Sequence, residues 1–202
     1  MKLPILASLI IFISLLTGLI KRSTNEAKKA EKNFWDKEMA ANNVRKKSLD
    51  TLDYVTIPLE TLPLQVMADN EKVQEYISTI QVLSDSKIVN FTGITNTDLK
   101  LTYGTANITV LSEYDENYTT LITTLQRWAK LLYEGGFTDD ACTLLEYAIS
   151  IGSDVSASYY LLAEIYQSRG LSEKVFELIE SASSLNSKSG KAIARTLRES
   201  YL

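Results

Sequence analysis

Residues 122–189 repeat themselves at a fixed shift of 34 positions, and no other feature restricts the possible folds as strongly. Under that shift Leu125 falls on Tyr159, Ala129 on Ala163, Leu131 on Ile165 and Gly136 on Gly170. Ala141 likewise falls on Val175, Leu145 on Ile179 and Ala148 on Ala182. A period of this length is one supersecondary unit, which cannot bury its apolar face alone and must stack on its neighbours. In each unit a helical pattern sets large residues around a small one. A glycine-containing turn follows, then a second helical pattern with a small residue near each end. The small residues let two antiparallel helices approach closely, and the bulky ones fill the space to the next pair. Gly136 and Gly170 supply a left-handed helix end. Thr138 and Ser172 are placed to cap the helices that follow.

The pattern consists of Trp128-Ala129, Leu132, Gly136, Ala141, Leu145 and Ala148 in the first unit. In the second it is Tyr159, Leu162-Ala163, Tyr166, Gly170, Val175, Ile179 and Ala182. On these residues the chain resembles the tetratricopeptide repeat family over about residues 122–189. It departs from the family where a proline often closes the unit, since Ser153 and Ser187 stand there. The resemblance implies a short α-solenoid whose first helices line a concave groove for peptide segments. It implies Gln126, Lys130, Tyr133, Tyr160, Glu164 and Gln167 as the groove-facing residues. Only Lys130 of these is basic, so the family's carboxylate clamp is not matched. The alternatives are that these six are ordinary solvated positions, or that the chain's own Ile57–Leu64 strip covers them. Lys188 to Tyr201 suits the polar closing helix that such stacks require, and residues 98–134 supply a degenerate pair upstream.

Residues 3–20 carry no charge over eighteen positions. As a helix that run spans ~27 Å, near the hydrocarbon thickness of a bilayer. Lys2 precedes it, but the exit Leu16-Thr17-Gly18-Leu19-Ile20-Lys21-Arg22 lacks the small-residue site of a cleaved signal peptide. No cysteine follows that would mark a lipoprotein. The expectation is an uncleaved transmembrane anchor over 1–22. Residues 1–50 hold ten Lys/Arg against five Asp/Glu, whereas both later parts of the chain are acidic. Lys21, Arg22, Lys28, Lys29, Lys32 and Lys37 follow the span, so the positive-inside rule places the remainder in the cytoplasm. Three Asn-x-Thr sequons, at Asn90, Asn107 and Asn117, would matter only on an extracytoplasmic route.

Residues 23–50 are rich in Ala, Lys and Glu and lack Pro and Gly, which predicts a polar helical stalk. Phe34 and Trp35 suit either a membrane interface or a packed contact. Residues 51–68 contain Pro58 and Pro63, each of which removes a donor and biases its predecessor to extended backbone. The segment is an extended strap, too apolar to lie free. Residues 69–202 form the helical domain. Helices are expected from Asp69-Asn70-Glu71, from Thr97 or Asp98 to about Tyr114 through Gly104, and from Tyr118 to Tyr133, with Asp115-Glu116-Asn117 as a turn.

The predicted class is therefore all-α: an anchor, a stalk, a strap and a short solenoid. The chain has no histidine and one cysteine, Cys142. This removes the commonest general base, the commonest metal ligand and any intrachain disulfide. No Gly-rich phosphate loop or nucleophile elbow is present. No basic stripe follows residue 50, so no nucleic-acid partner is expected. Cys142, without a histidine to activate it, is expected to be a packing residue. The expectation is a non-enzymatic adaptor or scaffold without cofactor or metal, with the bilayer contacted through residues 3–20 and a protein partner in the groove. The rivals are a membrane-complex subunit whose groove holds its own 54–65 segment, and an extracytoplasmic helical protein.

Overall fold

A computed structural model describes the backbone of residues 3–201 and the side chains of residue 12 and of residues 15–201. Lys2, ahead of the predicted span, lies outside the described residues. The described chain is all-helical, with one isolated antiparallel bridge between Tyr54 and Val89. In chain order the helices are α1 (Leu3–Asn42), α2 (Glu71–Ser84), α3 (Asn96–Tyr103), α4 (Ile108–Glu134), α5 (Thr138–Ser150), α6 (Ser156–Ser168), α7 (Ser172–Ser184) and α8 (Lys188–Tyr201). They form two units, residues 1–47 with 96–107, and residues 48–95 with 108–202.

In the first unit α1 is a single helix, so the expected division at residue 22 is not a break and the stalk ends at Asn42 instead of residue 50. Helix-forming residues carry it across the charged exit, assisted by an Arg22–Glu26 pair one turn apart at 3.0 Å. Among the described residues no helix is long and apolar enough to cross a membrane. The predicted span has most of its side chains outside those described. The far end of α1 is held by α3. Glu38 accepts hydrogen bonds from Lys100 and from the Thr97 hydroxyl, and Lys37 pairs with Asp98 at 2.7 Å. Gly104 ends α3 at φ +89°, and a Cβ there would collide with the Arg45 carbonyl. The helix expected to run through Gly104 therefore stops at Tyr103. The buried Asn107 amide donates to the carbonyls of Lys47 and Tyr103 at 2.8 and 2.7 Å.

In the second unit α4 runs unbroken through Asp115, Glu116 and Asn117, where a turn was expected. The polar residues that suggested a turn serve another segment. The Asn117 amide donates to the Lys87 carbonyl at 3.0 Å, and Asp115 accepts from the Phe91 backbone N–H. These side chains spend their hydrogen-bonding capacity on a distant backbone, which leaves their own helix intact.

The repeat is visible in the element bounds. Under the same shift Thr138 and Ser150, which bound α5, fall on Ser172 and Ser184, which bound α7. The last residue of α4, Glu134, falls on the last residue of α6, Ser168. Trp128 and Leu162, Ala129 and Ala163, Leu132 and Tyr166, and Leu145 and Ile179 are all buried. Gly136 and Gly170 take φ of +85° and +72°. After each glycine, the next backbone N–H bonds back into the helix, Phe137 to Leu132 and Leu171 to Tyr166, both at 2.9 Å. This is the closure that satisfies the last carbonyls of a helix. It also displaces the expected caps. Phe137 and Leu171 stand at the N-cap positions without a side-chain cap bond, and Thr138 and Ser172 lie one residue inside. The turn is so short that one residue both closes the outgoing helix and opens the next.

Successive helices from α4 to α8 pack on one another, α2 packs on α4, and α6 also packs on both α4 and α8. The unit thus has one layer of α4, α6 and α8 and a second holding α5 and α7. The strap is extended only in part: a 3-10 turn stands at Leu59–Thr61, and residues 64–69 form turns where extended backbone was expected, with Met67 at φ +53° and the Val66 N–H donating to the Pro63 carbonyl at 3.1 Å. Ile57 and Leu62 enter the core, the Val55 N–H donates to Ile88 at 2.9 Å, and the Tyr147 hydroxyl of α5 donates to the Thr56 carbonyl at 3.2 Å.

Candidate functional site

The six residues implied as groove-facing lie on the solvent-facing ridges of α4 and α6. Tyr160, Glu164 and Gln167 recur within two turns of α6 and are exposed, while its Tyr159, Leu162, Ala163 and Tyr166 are buried. On α4, Lys130 is exposed, and Gln126 and Tyr133 are half-buried. The structure joins two of the six directly. The Tyr133 hydroxyl donates to Glu164 Oε1 at 2.9 Å, bridging α4 and α6. Holding its proton toward that carboxylate, and partly buried, the phenol titrates above its ordinary range. Lys130 pairs within its own helix with Glu134 at 3.7 Å. Gln126, Tyr160 and Gln167 share the ridge without a direct bond to the others.

Tyr201, half-buried near the end of α8, packs against the core and feels the Glu164 charge. It extends the face onto a third helix. The repeat alignment does not include it, because in the sequence α8 reads only as a closing helix. Among the described residues, none of the six forms a hydrogen bond or ion pair with residues 54–65. The strap is bonded instead to α5, where the Tyr147 hydroxyl donates to the Thr56 carbonyl.

A second arrangement lies between α5 and α7, which are separated by a cleft of about 400 Å³ over α6. Its centre is Glu146. The Tyr166 hydroxyl donates to the Glu146 carboxylate at 2.6 Å, and the Lys174 ammonium donates to the same oxygen at 3.2 Å while lying 5.0 Å from the Tyr166 ring centroid. Burial opposes the Glu146 charge, but these two donors outweigh it and hold the carboxyl below its ordinary range. Burial pushes the Tyr166 phenol up. Cys142 is buried, and burial beside Glu146 raises its thiol to about 11. A carboxylate committed to two donors and a protonated thiol make this a cross-brace between repeats. Sequence reading missed it because Glu146, Tyr166 and Lys174 stand on three different helices, beyond the reach of any local pattern.

The sequons also have structural roles. Asn107 is fully buried, and the Asn90 amide donates to the Tyr118 hydroxyl at 2.9 Å. Among the described residues no three His, Cys, Asp or Glu side chains come together as metal ligands would.

The ridges carry two amide side chains, Gln126 and Gln167, and the exposed Tyr160 ring, and the Glu164 carboxylate is already engaged by the Tyr133 phenol. No family model matches this chain, and no curated protein or solved structure matches it.

Proposed function

We propose that the chain is a membrane-anchored, tetratricopeptide-like interaction module that binds a protein segment on its α4–α6–α8 face and performs no catalysis. The supporting observation is the contrast between the two layers. The α4, α6 and α8 helices pack side by side, while α5 and α7 stand apart across a cleft. A stack whose second layer is splayed curves toward its first layer, so the ridge bearing Gln126, Tyr133, Tyr160, Glu164 and Gln167 is on the inner side. Exposed tyrosine supplies contact area at low entropic cost, and the glutamines supply adaptable hydrogen bonds to a backbone.

The uncharged run 3–20 anchors the module, and the basic residues after it keep the folded part in the cytoplasm. Burial of Asn107 and engagement of Asn90 in a hydrogen bond agree with a compartment where sequons carry no sugar.

The test is recovery of partners from native membranes by the detergent-solubilised full-length chain, beside a Tyr133→Ala/Tyr160→Ala/Glu164→Ala variant with unchanged circular dichroism. The proposal expects a partner retained by the wild type and lost by the variant. Equal recovery by both contradicts it.

A further inference from the structure

We propose that α1 carries a binding notch for the phosphate headgroup of an anionic phospholipid, centred on Gly18 and held by Lys21, Arg22, Asn25 and Lys29. The proposal rests on the anchor reading and deepens it.

These residues, with Glu26, line one concavity of about 400 Å³ on a single helix. Their spacing explains why. Positions 18, 21, 22, 25 and 29 fall on one face of an α-helix. Gly18 puts no side chain into the concavity, and a Cβ added there would stand in open space, so the helix backbone is uncovered at that point. Above it stands a net positive wall, with three cations against one carboxylate. That carboxylate, Glu26, is committed to Arg22 Nε at 3.0 Å. Among the described residues neither Lys21 nor Lys29 has a carboxylate within ion-pair distance.

The level along the helix selects the ligand. Leu15, Leu16, Leu19 and Ile20 are exposed apolar side chains at the end of the uncharged run. Gly18 therefore lies where hydrocarbon gives way to headgroups. The headgroup layer is roughly 5–8 Å thick on each side of the bilayer. Lys21 and Arg22 are within it, and Lys29 stands ~12 Å beyond Lys21 along the axis. Helical Cα–Cβ bonds tilt toward the N-terminus, so the side chains of Asn25 and Lys29 reach back toward the membrane. A phosphodiester in the notch meets ammonium groups from both levels, and its acyl chains lie along Leu15 and Leu19. A zwitterionic lipid brings its own cation to the same wall and gains less.

The experiment uses the full-length chain in lipid nanodiscs of phosphatidylcholine alone or with a minor fraction of phosphatidylglycerol. Native mass spectrometry then counts the lipids that stay bound. Failure to incorporate into neutral nanodiscs contradicts the anchor itself. Given incorporation, the wild type is expected to retain phosphatidylglycerol over phosphatidylcholine. Lys21→Gln/Lys29→Gln is expected to lower that retention roughly tenfold or more, as loss of two lysines at an anionic surface requires. Gly18→Val, which fills the notch without altering charge, lowers it too. Lys28→Gln/Lys32→Gln, which removes the same charge outside the notch, loses only the diffuse surface attraction and lowers it by a smaller factor than Lys21→Gln/Lys29→Gln. Equal retention by wild type and Lys21→Gln/Lys29→Gln overturns the proposal. So does an equal loss in Lys28→Gln/Lys32→Gln, which would show a diffuse basic surface, or equally tight binding of free glycerol phosphate without lipid.

Discussion

Gly136 shows how a single residue sets the repeat. Its φ of +85° is open to glycine and strained for other L residues, yet a Cβ there would meet nothing within 4 Å. Gly136→Ala therefore isolates backbone strain from crowding, and it is expected to cost about 1 kcal/mol of stability in a denaturant melt. No measurable loss would mean that this turn does not hold its left-handed geometry. Glu146 gives a second prediction, with a sign fixed by its partners. Burial opposes its charge, but Tyr166 and Lys174 together hold its carboxyl below the ordinary value. A depressed acid stabilises the fold above its unfolded-state pKa, and that contribution fades as pH falls through the folded-state value. Glu146→Gln should cost about 1 kcal/mol at pH ~7, a figure limited by solvent screening of a partly exposed pair. The difference from wild type should close as pH drops below the ordinary value of 4.5. Urea melts at neutral and acidic pH decide this, and a gap independent of pH would contradict the brace.

At the scale of elements, the second half of the chain was legible because its information is local. The glycines, the small residues and the fixed shift between units all act within a turn or between adjacent helices, and α8 begins at Lys188 as its pattern indicated. The limits of α3 and α4 were not legible. Gly104 is explained by the Arg45 carbonyl, and Asp115 and Asn117 by the backbone of residues 87–91. Those partners are distant in sequence, so a capping residue looked like a turn. The same reasoning covers the candidate face, where the repeat register sets Tyr133 and Glu164 on neighbouring ridges but gives no sign of Tyr201. Ala163 tests the helix packing itself. It is fully buried on α6 between the layers. Ala163→Leu should overpack the interface and cost about 1–3 kcal/mol, read as a lowered melting midpoint. An unchanged midpoint would mean that α6 does not need a small residue there.

Across the whole molecule, each unit has a distinct physical character. The first offers an unbroken helix with an uncharged start and a basic continuation, gripped at its far end by α3. The second buries its repeats around Trp128, Tyr159 and their neighbours and leaves a polar, aromatic ridge in solvent. The proposed pairing of a membrane tether with a binding face depends on where a partner sits. Tyr160 on α6 and Phe176 on α7 are both exposed aromatics, at 37% and 51%, on opposite layers of one unit. The most direct measurement replaces each in turn with a photo-crosslinking phenylalanine analogue in the full-length chain, irradiated in native membranes. A discrete protein adduct is expected from position 160 and none from position 176. An adduct from 176 alone, or the same adducts from both, would contradict it.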